Sequence, residues 1–379
     1  MLKLVFASSS DFTIPILKSI LQSEGQTLAN ITRSQVKYLS MLDIDQHFLD
    51  NLKSLDQQLD LYPEFSQTIK LAVVITQAAR LNRGKEILNP IHTFASEHKL
   101  EVFSPEKLNH QVDTLIEYEL DLGIVASYGQ ILSTKVLQSS NFGWINWHPS
   151  LLPQYRGPTP MQTALLNGDA VSGLSWIEMT KGMDSGDLLL QIKQNLDLIQ
   201  TIKTLSSSMG ELGGKTWAIA ASLQILNRNL ENQSSNLLKL AISQNEPEAT
   251  FCHMLNKEDR LSDYRNSSAE KVLYHWRAML FFPGTVLSSE YFKQEIKLLE
   301  CDLDYIKALS RRFEGEASLS EQNPLRVSGM LNPDQIYGEF YKDKNQVFII
   351  CQGQTLLPVK SIQLLESGQK INLSGYNFK

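Results

Sequence analysis

The sequence predicts an α/β fold: a doubly wound, mostly parallel sheet, followed by a smaller β-barrel. Three observations predict it. Short apolar runs alternate with helix-like patterns through the first part of the chain, a polar stretch rich in Asn, Ser and Gln follows residue 227, and short strand-like runs between turn residues fill the remainder. With 379 residues, 42% of them hydrophobic and 20% charged, the chain can bury one sizeable core and a second, smaller one.

Taken in order, Leu2–Phe6 reads as a buried strand, and Ser8-Ser9-Ser10-Asp11 as a loop that caps a helix over Ile14–Leu21. Residues 25–68 then interrupt a connection that is ordinarily short. The apolar spacing of Leu39, Leu42, Phe48, Leu52, Leu55 and Leu59 predicts one or two amphipathic helices in this insertion. Strand and helix resume with strands at Leu71–Ile75, Glu101–Phe103, Leu122–Ala126, Gly143–Trp147 and Leu174–Met179 and a helix at Ile91–His98.

The segment Asn227–Glu248 has a linker's composition apart from an apolar patch at Leu237–Ile242. The expected organisation is therefore a first domain over 1–230, a linker over 231–255 and a second domain over 256–379. In the second, Glu270–Met279 reads as a helix, and Thr285–Leu287, Glu295–Leu299, Gln346–Cys351 and Leu356–Leu364 as short strands of a small barrel.

Composition narrows the function. Cys252, Cys301 and Cys351 lie about 50 residues apart with no CxxC pair, which suits reduced thiols better than a disulfide framework or a zinc site. The seven histidines are scattered without ligand spacing, so no metal is expected. No apolar run nears the roughly 18 residues that cross a bilayer, and MLKLVFASSSDF lacks the features of a secretory signal, so a cytoplasmic protein without a membrane is expected. A formal charge of -6 argues against an evenly basic nucleic-acid coat, while 16 Lys or Arg against 16 Asp or Glu from Asn256 onward confine the acidity to the earlier part. A nucleic-acid contact must then rely on a local basic surface.

Two segments carry chemistry. Trp144-Ile145-Asn146-Trp147-His148-Pro149 begins as a strand and ends at a proline, so Asn146 and His148 project from one face at its carboxyl end, the edge where open α/β sheets bind ligands. An amide donor beside an imidazole suits stabilising an oxyanion and moving a proton, the two tasks of acyl transfer to an amine. Lys181-Gly182-Met183-Asp184-Ser185-Gly186-Asp187 places Asp184 in a glycine turn 36 residues after His148, where it could orient that ring, take a proton through water, or merely bond within its own turn.

NWHPSLLPQYRG followed by GMDSGDLL resembles the folate-dependent formyltransferase family, which includes glycinamide ribonucleotide, amino-sugar and methionyl-tRNA formyltransferases. The resemblance implies a Rossmann-like first domain with Asn146, His148 and Asp184 as catalytic residues and 10-formyltetrahydrofolate as formyl donor. It also implies a folate site lined by Tyr128, Gly129, Gln130, Ile131 and Leu132 and by Ser150, Leu151, Leu152 and Pro153.

Asp11-Phe12, the stretch TQAARLNRGK and the long second domain are similar to the methionyl-tRNA branch. There Arg80, Arg83 and Lys85, in a basic loop, are implied to meet tRNA phosphates, and the second domain is an open, OB-like barrel that helps hold tRNA. Formyl transfer to methionyl-initiator-tRNA by a monomer is the reading this implies. Its alternatives are an amino-sugar nucleotide N-formyltransferase and a catalytically silent folate- or tRNA-binding protein. The chain departs from the family pattern at Ser8 and Ser10, where glycine and proline are usual, and at Glu86, where a second lysine is usual.

Overall fold

Near-continuous runs of Val, Ile, Leu and Trp, which suit strands covered on both faces, build the main sheet. The computed structural model describes residues 1–42, 44–232, 240–313, 325, 336–337, 339–344, 346–376 and 378. The chain divides into two compact units, one of residues 1–160, 171–195 and 206–253, the other of residues 161–170, 196–205 and 254–379.

The strands of the first unit are β1 (Leu2–Ser8), β2 (Ile69–Ile75), β3 (Arg80–Asn82), β4 (Lys85–Ile87), β5 (Val102–Phe103), β6 (Leu122–Ala126), β7 (Trp144–His148), β8 (Val171–Glu178) and β9 (Leu188–Asn195). Helices up to residue 232 are, in order, α1 (Ile14–Gln22), α2 (Leu28–Leu39), α3 (Gln46–Gln58), α4 (Pro90–Glu97), α5 (Val112–Glu117), α6 (Thr134–Leu137), α7 (Pro160–Asn167), α8 (Ile202–Gly214) and α9 (Trp217–Asn232), of which α7 beyond Pro160 and the first turn of α8 fall in the second unit. The sheet runs β5-β2-β1-β6-β7-β8-β9, parallel from β5 to β7 and antiparallel from β7 to β9. This is the doubly wound, mostly parallel sheet expected.

From β1 the chain builds outward to β2 and β5, then returns to place β6 and β7 on the other side. The reversal between β1 and β6 opens a crevice at the carboxyl ends of these strands, the usual ligand position in such sheets. Trp144, Trp147, Trp176 and Trp217 are buried in this unit.

The insertion forms α2 and α3, capped by Thr27 and Asp45 side chains. Thr32 and Ser222 hydroxyls meet at 2.8 Å, Gln35 Oε1 accepts from the Ala218 N–H at 2.9 Å, and Asn51 Nδ2 donates to the Leu240 carbonyl at 2.7 Å. The insertion therefore packs on α9.

Two sequence expectations are corrected here. The Ser8–Asp11 cluster does not cap α1, which starts after a 3₁₀ turn over Asp11–Thr13 without a side-chain cap. Ser8 belongs to β1 and bonds Thr13 Oγ1 at 2.6 Å, while Ser10 Oγ reaches Ser127 Oγ at 2.8 Å across the crevice. The cluster joins strand ends instead. The 231–255 segment, read as linker, is tied down over its later part: Leu188 and Ile242 exchange backbone hydrogen bonds of 2.7 and 2.9 Å, and Arg156 bonds the backbones of Thr250 and Cys252. Residues 237–239 of the apolar patch lie outside the described residues.

In the second unit, α10 (Ala269–Met279) is capped by Ser268 and precedes β10 (Thr285–Ser289), β11 (Gln294–Cys301), α11 (Leu303–Phe313), β12 (Ile336–Tyr337), β13 (Phe340–Asp343), β14 (Gln346–Cys351), β15 (Thr355–Leu364) and β16 (Lys370–Asn372). The antiparallel order is β10-β11-β15-β14-β13-β12, with β16 beside β15. Residues of β10, β11, β13, β14, β15, β16 and α10 share one core, including Trp276, Leu287, Ile296, Phe340, Ile349, Leu357 and Ile371. An antiparallel sheet on one core makes this the smaller C-terminal β domain expected from the sequence.

Candidate active site

Residues two apart on a strand share a face, and β7 accordingly carries Asn146 and His148 on one side at its carboxyl end. Asp184 reaches them from the turn between β8 and β9. Asn146 Nδ2 donates to Asp184 Oδ1 at 3.1 Å, and His148 Nδ1 lies 3.6 Å from Asp184 Oδ2. His148 is only 4% exposed. The three side chains singled out from the sequence therefore meet.

Asp184 itself, rather than a neighbouring glycine, holds the turn's left-handed conformation, at φ 48°. Gly186 acts by close approach, because a Cβ there would collide with the Glu178 carbonyl. The glycines shape the turn; the carboxylate points inward from it.

A second loop, Tyr155-Arg156-Gly157, supplies backbone partners that the sequence pattern did not bring forward as site residues. The Tyr155 carbonyl accepts from His148 Nε2 at 2.9 Å, and the Gly157 N–H donates to Asp184 Oδ2 at 2.9 Å. Tyr155 and Gly157 have φ of 59° and 119°, and a Cβ on Gly157 would stand 2.6 Å from the Cys252 carbonyl oxygen. Cys252 is buried, and burial pushes its thiol pKa up. This sulfur packs the loop from behind.

The segment after β6 carries the other candidates. Ile131 is 76% exposed, Gly129 adopts φ 82°, and Gln130 is fixed at both ends by the Leu108 N–H and the Glu106 carbonyl. Among the described residues no backbone hydrogen bond engages the N–H groups of Gly129, Gln130 or Ile131. Tyr128 is buried with its hydroxyl unpartnered, and burial pushes that phenol up to about 12. An exposed apolar side chain beside open backbone donors fits a flat heteroaromatic ligand. Leu132 lies in the core with Val5 and Val73; Leu152 and Pro153 are also buried, Leu151 is half-buried, and the Ser150 hydroxyl donates to the Gln154 carbonyl at 2.6 Å.

Arg80, Arg83 and Lys85 are exposed, but on a hairpin rather than the expected loop: β3 and β4 pair antiparallel around Arg83-Gly84, at φ 49° and 77°. Two successive left-handed residues make the turn that matches strand twist. A cavity of about 580 Å³ lies under this hairpin, lined by Ser9, Gln77, Leu81, Asn89, Tyr128 and Gly129 among others, and Asn146, His148 and Asp184 are not in its wall. Among the described residues no group of three His, Cys, Asp or Glu side chains could hold a metal, and no helix is long and apolar enough to cross a membrane.

A model of the Formyl transferase family matches residues 48–220. The methionyl-tRNA formyltransferase of Ehrlichia ruminantium (strain Welgevonden) is 36% identical over 245 residues, covering 61% of this chain and 76% of that one. The methionyl-tRNA formyltransferase of Prochlorococcus marinus (strain MIT 9312) is 32% identical over 256 residues, covering 62% and 76%. An N-formyltransferase from Helicobacter canadensis, solved in complex with folinic acid and dTDP-3-aminofucose, superposes with a TM-score of 0.54 at 14% identity, over 95% of this chain and 99% of that one, and so shares the fold. Matched over most of its curated relatives' length, this chain belongs to the folate-dependent formyltransferase family, alongside its methionyl-tRNA formyltransferases.

Proposed function

We propose that this protein transfers the formyl group of 10-formyltetrahydrofolate to the α-amino group of methionyl-initiator-tRNA, with Asn146, His148 and Asp184 as its catalytic set. The convergence of these side chains from β7 and the β8–β9 turn carries the assignment, together with the similarity to methionyl-tRNA formyltransferases. The folate supplies an activated formyl carbon when bound. Asn146 has a second amide hydrogen free of Asp184, and with protonated His148 Nδ1 it donates to the formyl oxygen as negative charge develops there. Asp184 takes the proton of the attacking amine, directly or through water; as the tetrahedral intermediate collapses, the bond between the formyl carbon and the folate nitrogen breaks and that nitrogen leaves carrying the proton Asp184 took up.

Gly129 to Ile131 are the residues whose exposure best suits the pterin ring, with Tyr128, Leu132 and Ser150 to Pro153 forming the wall behind them. Arg80, Arg83 and Lys85 meet the phosphates of the tRNA acceptor end, and the second unit holds the tRNA body. The protein acts as a monomer in the cytoplasm, where charged tRNA is consumed.

The deciding assay supplies purified protein with 10-formyltetrahydrofolate and, separately, methionyl-initiator-tRNA, methionyl-elongator-tRNA or an amino-sugar nucleotide, and follows the products by mass. Formylmethionyl-initiator-tRNA alone is expected. A formylated sugar, or no formylated product, would sink the proposal.

A further inference from the structure

Each of the two loops that serve the catalytic side chains contains a non-glycine residue in the left-handed region, Tyr155 at φ 59° and Asp184 at φ 48°. Such backbone lasts only where its surroundings over-determine it. The surroundings here converge on Gln244, which comes from the polar stretch that the sequence presents as linker. Its Nε2 donates to the carbonyls of Asp184 at 2.8 Å and Gly186 at 2.7 Å. Its Oε1 accepts from Arg156 Nε at 3.1 Å and Nη2 at 2.8 Å. Arg156 is 3% exposed, sits between Tyr155 and Gly157, and is held on its other side by both carboxylate oxygens of Glu246, at 2.9 and 2.7 Å.

We propose that Gln244 is a positioning residue for formyl transfer, one amide that locks the Asp184 turn to the Tyr155–Gly157 loop. Through the turn it fixes the direction of the Asp184 carboxylate. Through Arg156 it fixes the two backbone groups that hold His148 Nε2 and Asp184 Oδ2. No other side-chain chemistry replaces it, because the site needs a donor for two carbonyls and an acceptor for a guanidinium on one planar group. The proposal rests on the reading of Asp184 and His148 as catalytic.

Two variants test it. Gln244→Met keeps the shape and removes all four bonds. Gln244→Glu keeps the acceptor for Arg156 but turns a carboxylate toward two carbonyls. With thermal unfolding confirming a folded protein, each lowers kcat by on the order of 10- to 100-fold, the scale of a small misplacement of a catalytic group, with the KM of folate and tRNA little changed. In an Asp184→Ala background, adding Gln244→Met costs clearly less than the same change in the wild type, because the share of its effect that acts through the Asp184 carboxylate is already lost. If Gln244→Met fails to fold, Gln244→Glu carries the test. Wild-type turnover of either variant, or losses that multiply in the double variant, overturn the clamp while leaving the catalytic set intact. Full activity of Asp184→Ala instead overturns the reading beneath it.

Discussion

The contact of His148 Nε2 with the Tyr155 carbonyl, at 2.9 Å, decides which nitrogen of the ring faces the chemistry. A carbonyl only accepts, so Nε2 carries the hydrogen, and Nδ1 is left beside Asp184 Oδ2 at 3.6 Å. An asparagine amide can mimic Nδ1, whereas a glutamine amide reaches the place of Nε2. His148→Asn should therefore retain more turnover than His148→Gln, both falling by roughly 10² to 10⁴ because an amide can donate a hydrogen bond but cannot take up or release a proton. Equal activity of the two, measured in single turnovers, would show that the orientation is irrelevant.

Asp184 accepts from Asn146 through one oxygen and from the Gly157 N–H through the other. An amide at this position has a single acceptor, so whichever way it turns, an NH₂ group confronts a donor. Asp184→Asn should lower kcat by about 10² or more, the scale of a lost acid–base group, with folate affinity nearly intact. Asn146→Ala should lose about 10² to 10³, the scale of one missing oxyanion donor. Steady-state kinetics with both substrates varied separates these outcomes from losses in binding.

Much of this was legible in the sequence, and the reason differs from place to place. The apolar runs of β1, β2, β6 and β7 could hardly be anything but buried strands, and Asn146 and His148 follow from strand periodicity. The helical spacing of the 25–68 insertion likewise announced α2 and α3. Gln244 was not legible: it lies 60 residues from Asp184, in a stretch whose composition resembles linker, and its four partners are brought to it only by tertiary folding. The Tyr155 and Gly157 contributions are backbone groups, which no residue type advertises. The loop expected around Arg83-Gly84 rested on the family resemblance, while the turn there pairs β3 with β4 as a hairpin.

The buried thiols of the second unit predict how stability responds to alkali. Burial pushes Cys351 from its ordinary value of 9.0 up to about 12 and Cys301 well above 9.0. The folded state thus keeps protons that the unfolded chain releases, so their contribution is complete below pH 9 and is lost as the pH rises toward the folded values. Each fully buried thiol should cost about 1.4 kcal/mol per pH unit in that window. Unfolding midpoints measured across the window should fall less steeply for Cys351→Ala than for the wild type, whatever the offset caused by the cavity. Parallel slopes would mean that these thiols do not drive the loss.

The β3–β4 hairpin projects Arg80, Arg83 and Lys85 into solvent, with Glu86 beside them. Contacts to phosphate release counterions, so each removed charge should flatten the dependence of log KM for tRNA on log salt by about one unit. Arg80→Ala, Arg83→Ala and Lys85→Ala should each do so while raising that KM. Glu86→Lys should act in the opposite sense, since it replaces a repelled carboxylate with a further cation on the same strand. The KM for 10-formyltetrahydrofolate should stay fixed in all four variants, because phosphate contacts position the nucleic acid without touching the folate. Salt slopes that match the wild type would remove the hairpin from the tRNA surface.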